Sequence, residues 1–343
     1  ELYYRGIPVT QIINNQPADP VNGFEEVCFL ILFGHLPTKK ELKTFQKHLQ
    51  DHYNLPEGFL AANILRNPSM NIMNKIQRAL LMLYETDLNA DDPSVENTFR
   101  QGLAIIAKMP AIMCYAYQAK HHILDNGSLI IHQVNTRGSI AENILGLLRA
   151  DQSYTHEEAK LLDLCLILHA DHGAGNNSTF ANIVVSSTGT DIYSSFAASV
   201  GSLKGPRHGG ANSAAKHMMD AVIAEIGYSE DTEQIERIIN RILDKDFNDN
   251  SGLIYGLGHA VYTLSDPRSE ILKQKAYEVA AQSNNLEVFE FYKRFEQIAK
   301  QCIYKRKGIR VSSNLDFYSG LIYTMLGIPE DLFTPMFVCA RTV

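Results

Sequence analysis

Histidines in glycine-rich segments are the first residues of this sequence that suggest chemistry. His208 lies in residues 205–210 (GPRHGG), directly before a helical pattern that begins near Ala211. The positive end of a helix dipole disfavours a charged imidazolium, so we expect this imidazole to be neutral. A neutral imidazole can donate a hydrogen bond to a carbonyl that is being polarised. The alternative is a turn histidine that caps its own loop.

A second histidine, His259, also has glycines beside it. It lies in residues 255–262 (YGLGHAVY), where the flanking glycines allow a ligand to approach the backbone closely. Arg268 follows nine residues later in an Asp-Pro-Arg turn. The arginine fork binds carboxylates with two parallel hydrogen bonds, which favours a carboxylate ligand. The alternative is a structural turn with a surface salt bridge.

One aspartate stands between two large apolar residues. Asp316 lies between Leu315 and Phe317 in residues 313–320 (SNLDFYSG). Partial desolvation raises the pKa of a carboxylate and makes it a stronger base when it is ionised. A helical pattern follows, so the alternative is that Asp316 caps a helix N-terminus.

His169 and His172 have a spacing that can be typical of metal ligands. The i, i+3 spacing places both on one helix face. However, the sequence has no HExxH motif, and no nearby cysteine supplies a third ligand. We therefore expect core or substrate-binding histidines and no metal site.

The charge balance excludes one class of protein. The net charge is −7 with a pI near 6.0, which argues against a nucleic-acid binder that works through a global positive field. An anionic ligand would need a local basic cluster, and the densest one lies in residues 305–310 (KRKGIR). This cluster is either a solvated turn or a seat for the phosphates of a nucleotide-like cofactor.

The hydrophobic periodicity is helical nearly throughout. Thr38 and Thr155 each precede a glutamate by three residues, which predicts a capping box at two helix starts. The helix after Thr155 is apolar on nearly every side, so we expect it to be central and buried. Extended pieces are indicated only weakly, at 183–186 and 310–312. The prediction is an all-α protein whose 343 residues suffice for two domains.

The cysteines and the apolar runs bear on the compartment. Five cysteines are scattered without close pairs, which predicts reduced core thiols in a cytoplasmic protein. The longest nearly apolar run, 161–168, is far shorter than the roughly 20 residues that span a bilayer, so we expect no membrane contact.

The order of these segments resembles a known family. The sequences LHADHGAGN, GSLKGPRHGGAN, GLGHAVYTLSDPR, SNLDFYSG and DLFTPMFVCAR occur in the order seen in citrate synthases. Near the N-terminus, YRGIPV and FEEVCFLILFGHLPT are also similar to that family. The resemblance covers residues 4–341.

This resemblance implies roles for three residues. Asp316 is then the base that removes a proton from the methyl group of acetyl-CoA. His208 is the neutral donor that stabilises the enol at the thioester oxygen. His259 bonds the oxaloacetate carbonyl and helps to protonate the new alkoxide. No carboxylate can remove so weakly acidic a proton unless the enolate is stabilised as it forms.

The resemblance also implies binding residues. Arg268 and Arg341 are expected to hold the carboxylates of the substrate, and His172 to help hold oxaloacetate. Coenzyme A is expected along the loop 256–263, with the basic cluster near its phosphates. The predicted contacts are Leu257, Gly258, Ala260, Val261, Tyr262, Lys307 and Arg310.

The architecture implied by the family is a large helical domain and a smaller one, with the active site in the cleft. We place the small domain at 208–320 and the large domain at 1–207 and 321–343. The resemblance further implies a homodimer and no permanently bound cofactor, with acetyl-CoA as co-substrate. Family members continue past Arg341 into a segment with a further arginine, and this sequence ends at Val343.

Three other functions remain open on the sequence alone. A 2-methylcitrate synthase shares these motifs and uses propionyl-CoA, and one methylene changes pocket preference by only about 1–3 kcal/mol. A non-catalytic relative that binds CoA or oxaloacetate would be expected to lack His208, His259 or Asp316, which are all present. A zinc hydrolase built on His169 and His172 would lose activity on treatment with EDTA.

Overall fold

The computed structural model describes residues 2–17, 20–172, 175–258, 266–282 and 284–343, except the side chain of Gln282. Within these residues the strands are limited to β1 (Tyr3–Tyr4) and β2 (Ile7–Pro8), which pair antiparallel. The remainder of the regular structure is helical, which confirms the all-α prediction. No helix in the described part of the chain is both long and apolar enough to cross a membrane.

In chain order the helices are α1 (Val9–Asn14), α2 (Gly23–Phe33), α3 (Lys39–Asp51), a π-helix (Leu60–Leu65), α4 (Ile72–Tyr84), α5 (Val95–Ile123), α6 (Ile140–Leu148), α7 (His156–His169), α8 (Asn177–Ser186), α9 (Ile192–Leu203), α10 (Ala211–Ile226), α11 (Thr232–Leu243), α12 (Pro267–Gln282), α13 (Leu286–Lys307), α14 (Leu315–Met325), a 3₁₀ turn (Glu330–Leu332) and α15 (Phe333–Arg341).

The chain divides into two compact units. The first comprises residues 2–209 and 334–343, and the second comprises residues 210–333. The sequence-based boundaries lie at 207/208 and 320/321, and the latter falls inside α14. Helix α14 packs along both α10 and α12, so the whole helix belongs to the second unit.

Local signals explain where several helices begin. Capping boxes form at three N-termini. In each, the N-cap hydroxyl accepts the backbone N–H of a glutamate, and the glutamate side chain accepts the backbone N–H of the N-cap residue. The pairs are Thr38 with Glu41, Ser139 with Glu142, and Thr155 with Glu158. Two of these were predicted. Helix α7, which Thr155 begins, buries every residue from Leu161 to His169 and packs against α2 and α6, as its apolar sequence indicated.

The expected extended piece at 183–186 is wrong. These residues form the last turn of α8, whose N-terminus is capped by Asn176 and which packs against α9. β-branched residues favour strands only weakly, and packing against a neighbouring helix overrides that preference. At 310–312 no strand is assigned, although Ser313 forms an isolated antiparallel bridge with Leu257.

Two buried carboxylates connect α7, α2 and α6. Asp163 accepts the backbone N–H of Phe24 at 3.1 Å, and Glu25 accepts the N–H of Ile140 at 2.7 Å. Burial, together with the neighbouring negative charge of Asp163, raises the pKa of Glu25 to about 8. Burial raises the pKa of Asp163 to about 7. Each carboxylate therefore serves the N-terminus of a helix that is not its own.

Replacing Glu25 with glutamine is expected to raise Tm more at pH 8 than at pH 5. A carboxyl whose pKa is raised on folding contributes stability below its unfolded pKa, and this contribution is lost as the pH rises through about 8. Glutamine does not titrate, so it avoids a loss on the order of 3 kcal/mol across this window. Thermal unfolding at both pH values measures the difference. Equal Tm shifts at the two pH values, or an equal response in the exposed control Glu57→Gln, would contradict this expectation.

Candidate active site

His208 in the first unit contacts the N-terminus of α8. Its Nε2 accepts the backbone N–H of Ser178 at 3.3 Å and lies 3.0 Å from the Ser178 hydroxyl. A backbone N–H can only donate, so Nε2 carries no proton and a neutral ring has its proton on Nδ1. The helix start that faces this nitrogen belongs to α8, whereas sequence reasoning invoked the helix that begins at Ala211. His208 thus has a donor to offer at Nδ1.

The surroundings of His208 keep the ring neutral. Burial lowers its pKa, and the positive charge of Arg341 lowers it further. The segment is also tightly packed, because a Cβ added to Gly209 would lie 2.2 Å from the Leu203 carbonyl oxygen. The Thr334 hydroxyl donates to the Gly209 carbonyl at 2.9 Å. The imidazole is therefore both uncharged and held in place.

Arg341 contacts the end of α7 at His169 in the same unit. Arg341 Nε donates to the carbonyl of His169 at 2.9 Å, where the negative end of the helix dipole favours a cation. His169 is fully buried and packs edge-on against Phe337, with ring centroids 4.2 Å apart, so it is a core residue. His172 follows three residues later and is half-buried.

A cavity of about 450 Å³ lies within the first unit. Its lining includes Arg341, Asp171 and Ser178, together with apolar side chains of α9. Ser178 is the residue that contacts His208. The cavity thus has a guanidinium, a carboxylate and small polar groups on its wall, which suits a small polar ligand.

Asp316 in the second unit lies in the first turn of α14 and is half-buried. The N-cap of this helix is Asn314, whose side chain accepts the backbone N–H of Asp316 at 3.0 Å. The alternative reading of Asp316 as the helix cap is therefore wrong. The N-cap role therefore belongs to Asn314, and Asp316 lies two residues later in the first turn.

The segment before Asp316 is hydrogen-bonded to the loop predicted to bind CoA. Gly258 N–H donates to the Ser312 carbonyl at 2.7 Å, and Asn314 N–H donates to the Gly256 carbonyl at 2.9 Å. The Asn314 side chain also donates to the Gly258 carbonyl at 2.9 Å, while Leu257 forms a β-bridge with Ser313. Two of the predicted CoA contacts, Leu257 and Gly258, therefore lie beside the segment that carries the proposed base.

Gly256→Ala is expected to lower Tm and reduce turnover more than Gly308→Ala does. Both glycines have positive φ, +82° and +64°, so both substitutions carry the backbone penalty of a left-handed residue. A Cβ at Gly256 would also lie 2.6 Å from the ring of Phe317, the neighbour of Asp316, whereas Gly308 faces open space. Thermal unfolding and kcat of both variants separate the steric effect from the backbone effect. Equal losses would show that the contact with Phe317 is unimportant.

Arg268 is buried and paired with Asp266. Its Nε and Nη2 donate to the two carboxylate oxygens of Asp266 at 3.0 and 2.8 Å, and only 4% of the Arg268 side chain is exposed. The alternative of a surface salt bridge is therefore wrong. Asp266 was not singled out from the sequence, although its place two residues before Arg268 signals such a pair. It orients the guanidinium fork.

The basic cluster at 305–310 divides into two halves. Two of its side chains form ion pairs within this unit: Lys305 with Glu236 and Arg306 with Asp244. Lys307 and Arg310 are exposed and form no ion pair with any described residue, while Arg310 lies over the ring of Tyr304 at 6.0 Å. The two predicted CoA contacts are thus the members of the cluster whose charge is not neutralised nearby.

Some predicted residues lie outside the described part of the chain. These are His259, Ala260, Val261 and Tyr262. Among the residues that are described, no group of three or more His, Cys, Asp or Glu side chains is arranged to hold a metal ion.

The amino-acid sequence is similar to those of known proteins. The family described as "Citrate synthase, C-terminal domain" matches residues 1–343. Citrate synthase from Synechocystis is 33% identical over 342 residues, which is 99% of this chain and 78% of the relative. Citrate synthase from Deinococcus radiodurans is 33% identical over 343 residues, with 99% and 82% covered. The 2-methylcitrate synthase 2 of Corynebacterium glutamicum is 29% identical over 344 residues, with 99% and 82% covered.

Solved structures agree with the sequence relatives. Citrate synthase from Pyrobaculum aerophilum superposes with a TM-score of 0.83 at 28% identity, covering 99% of this chain and 80% of the other. The ternary complex of citrate synthase from Thermoplasma acidophilum with carboxymethyl coenzyme A and oxaloacetate gives 0.78 at 27% identity, covering 98% and 82%. The chain therefore belongs to the citrate synthase family.

Proposed function

We propose that the protein condenses the acetyl group of acetyl-CoA with oxaloacetate and hydrolyses the resulting thioester to release citrate and CoA. The observation that carries this proposal is the setting of His208: its Nε2 accepts the Ser178 N–H, and burial and Arg341 lower its pKa, which together favour a neutral ring with its proton on Nδ1. An uncharged donor of this kind suits a thioester oxygen on which negative charge develops.

Proton removal from the acetyl methyl group needs a base and an electrophile together. Asp316 is the proposed base, because it is a half-buried carboxylate in the first turn of α14, on the segment that is hydrogen-bonded to the proposed CoA loop. His208 is the proposed donor to the enol oxygen, and His259 the donor to the oxaloacetate carbonyl. His208 belongs to the first unit and Asp316 to the second.

The two carboxylates of oxaloacetate need cationic partners. Arg341 and His172 are the proposed ligands from the first unit, since Arg341 lines the cavity beside Ser178. Arg268 is the proposed ligand from the second unit, with its fork oriented by Asp266. Arginine is suited to this role because it binds carboxylates with two parallel hydrogen bonds.

Coenzyme A is proposed to bind in the second unit along the loop 256–263. Leu257 and Gly258 are close to the Asp316 segment through the hydrogen bonds of Asn314. Lys307 and Arg310 are the proposed partners of its phosphates, because their charges are not taken up by ion pairs with described residues. The residues Ala260, Val261 and Tyr262 complete the proposed contacts. No permanently bound cofactor is proposed.

We further propose that the protein is a homodimer in the reducing cytoplasm. Helix α8 exposes three large apolar side chains within two turns, Phe180, Ile183 and Val184, an arrangement typical of an interface. Light scattering should therefore give twice the chain mass of 38.4 kDa, and a mass equal to one chain would contradict the dimer. All five cysteines are buried free thiols, which fits a reducing compartment.

A thiol-release assay with oxaloacetate tests the reaction. Release of CoA from acetyl-CoA should depend on oxaloacetate, with kcat/KM for acetyl-CoA exceeding that for propionyl-CoA by about 10–200-fold, the range that one methylene allows. The reverse preference would favour a 2-methylcitrate synthase, as in the Corynebacterium glutamicum relative. Binding of CoA without release from either thioester would identify a non-catalytic relative.

A further inference from the structure

Glu296 is a fully buried carboxylate on α13 in the second unit. Four side chains donate hydrogen bonds to its two oxygens: Lys273, Lys300, Tyr318 and Ser313. Burial alone raises the pKa of this carboxyl, but the hydrogen bonds from the two lysines and from Tyr318 outweigh burial and lower the pKa to about 2. Glu296 is therefore ionised at physiological pH, with all its acceptor capacity in use.

Two of these donors stand on either side of the proposed base. Ser313 precedes Asp316 by three residues and donates to Glu296 at 2.8 Å. Tyr318 follows Asp316 by two residues, and its ring is also fully buried. Asn314, the N-cap that holds the Asp316 N–H, lies between them. One carboxylate thus binds the chain on both sides of Asp316, at Ser313 before the N-cap and at Tyr318 in the first turn of α14.

The same network extends to the proposed substrate arginine. The hydroxyl of Ser269 donates to the hydroxyl of Ser313 at 3.1 Å, and Ser313 in turn donates its own hydrogen bond to Glu296. Ser269 is the neighbour of Arg268 at the start of α12. Lys273, one turn further along α12, reaches Glu296 directly at 2.6 Å. The starts of α12 and α14 are therefore joined at a single acceptor.

We infer that Glu296 is a positioning residue, which holds the first turn of α14 through Ser313 and Tyr318 so that the Asp316 carboxylate keeps one orientation toward the acetyl methyl group. This inference rests on the proposed function. Glu296 itself touches neither substrate in this scheme. A displacement of about 1 Å in a reacting group can reduce a rate by about 10²-fold, so a buried residue that fixes the base has a large effect on turnover.

A charged carboxylate suits this role better than a neutral side chain. Four donors converge on Glu296, and a glutamine would offer one acceptor oxygen while its amide group faced Lys273 or Lys300. The donors left without an acceptor would form hydrogen bonds to other groups, and Ser313 and Tyr318 would no longer share one partner. The turn that carries Asp316 would then sample several orientations.

The test compares Glu296→Gln with Glu290→Gln, which removes a charge on the same helix from an exposed pair with Lys293. Competent sites are counted from CoA bound at equilibrium, so that kcat refers to folded protein only. Turnover is then measured with ordinary and methyl-deuterated acetyl-CoA. For Glu296→Gln we expect kcat per competent site to fall about 10–100-fold. The KM for oxaloacetate and the affinity for CoA should stay within threefold, and the deuterium isotope effect should be at least that of the wild type.

A milder variant guards against failure to fold. Tyr318→Phe removes one donor and leaves Glu296 paired with both lysines, and we expect a 3–10-fold fall in kcat with the same isotope signature. The inference is overturned if kcat per competent site is unchanged, if the isotope effect falls toward unity, or if substrate binding weakens by the same factor as turnover. Wild-type turnover is measured first, and its absence would overturn the proposed function and this inference together.

Discussion

Replacing Asp316 with asparagine is expected to reduce kcat by about 10²–10⁴-fold, the contribution typical of a general base. Asparagine has the same shape and can keep the backbone bond to Asn314, but it cannot accept a proton from the acetyl methyl group. Binding of oxaloacetate should be nearly unchanged, because the proposed oxaloacetate ligands are other residues. Thiol release gives kcat, and calorimetric titration with oxaloacetate gives the affinity.

The matched control for this variant is Asp220→Asn. Asp220 is an exposed aspartate of the same unit, paired with Lys216 on the surface of α10, and its replacement should leave kcat unchanged. Turnover of Asp316→Asn within a factor of three of the wild type would assign the base to another residue. A parallel loss of oxaloacetate affinity would indicate that Asp316 supports binding instead of proton removal.

His208→Ala is expected to reduce kcat by about 10²–10³-fold, the usual cost of deleting one donor to a developing oxyanion. The variant also leaves the Ser178 N–H without its imidazole acceptor, so a small decrease in Tm should accompany the loss of turnover. Steady-state kinetics with saturating oxaloacetate and a thermal scan measure the two effects separately.

His48→Ala provides the comparison for His208. His48 is exposed on α3 in the same unit, and its loss should change neither kcat nor Tm. If His208→Ala lowered Tm substantially while kcat per folded molecule stayed normal, His208 would be a structural histidine that caps α8. That outcome would remove the observation on which the proposed reaction rests.

Local sequence signals predicted the parts of the fold that depend on neighbours in the chain. The capping boxes at Thr38 and Thr155 are confirmed, because a cap needs only residues three apart. The burial of α7 is confirmed for a similar reason, since an apolar residue on nearly every side leaves no face for water. The extended reading of 183–186 failed because α9, a separate helix, decides the conformation there.

The sequence predicts candidate site residues, but it does not show which side chains contact them. Family resemblance pointed to His208 and Asp316, but the partners that orient them are distant in sequence. Ser178 lies 30 residues from His208 and appeared in the sequence only as one of many serines. Glu296 lies 22 residues from Tyr318 and has no motif around it. Such partners are brought together by helix packing, which a one-dimensional pattern does not record.

The hydrogen bonds of Asn314 have a consequence for any attempt to change acyl preference. Asn314 ties the loop at Gly256 and Gly258 to the helix start that holds Asp316. Reshaping this loop to admit a bulkier acyl chain would therefore displace the carboxylate of Asp316, the proposed base, from the position it needs beside the acyl group. Engineered variants with a wider pocket should consequently turn over every acyl-CoA slowly, until further substitutions restore the position of the Asp316 carboxylate.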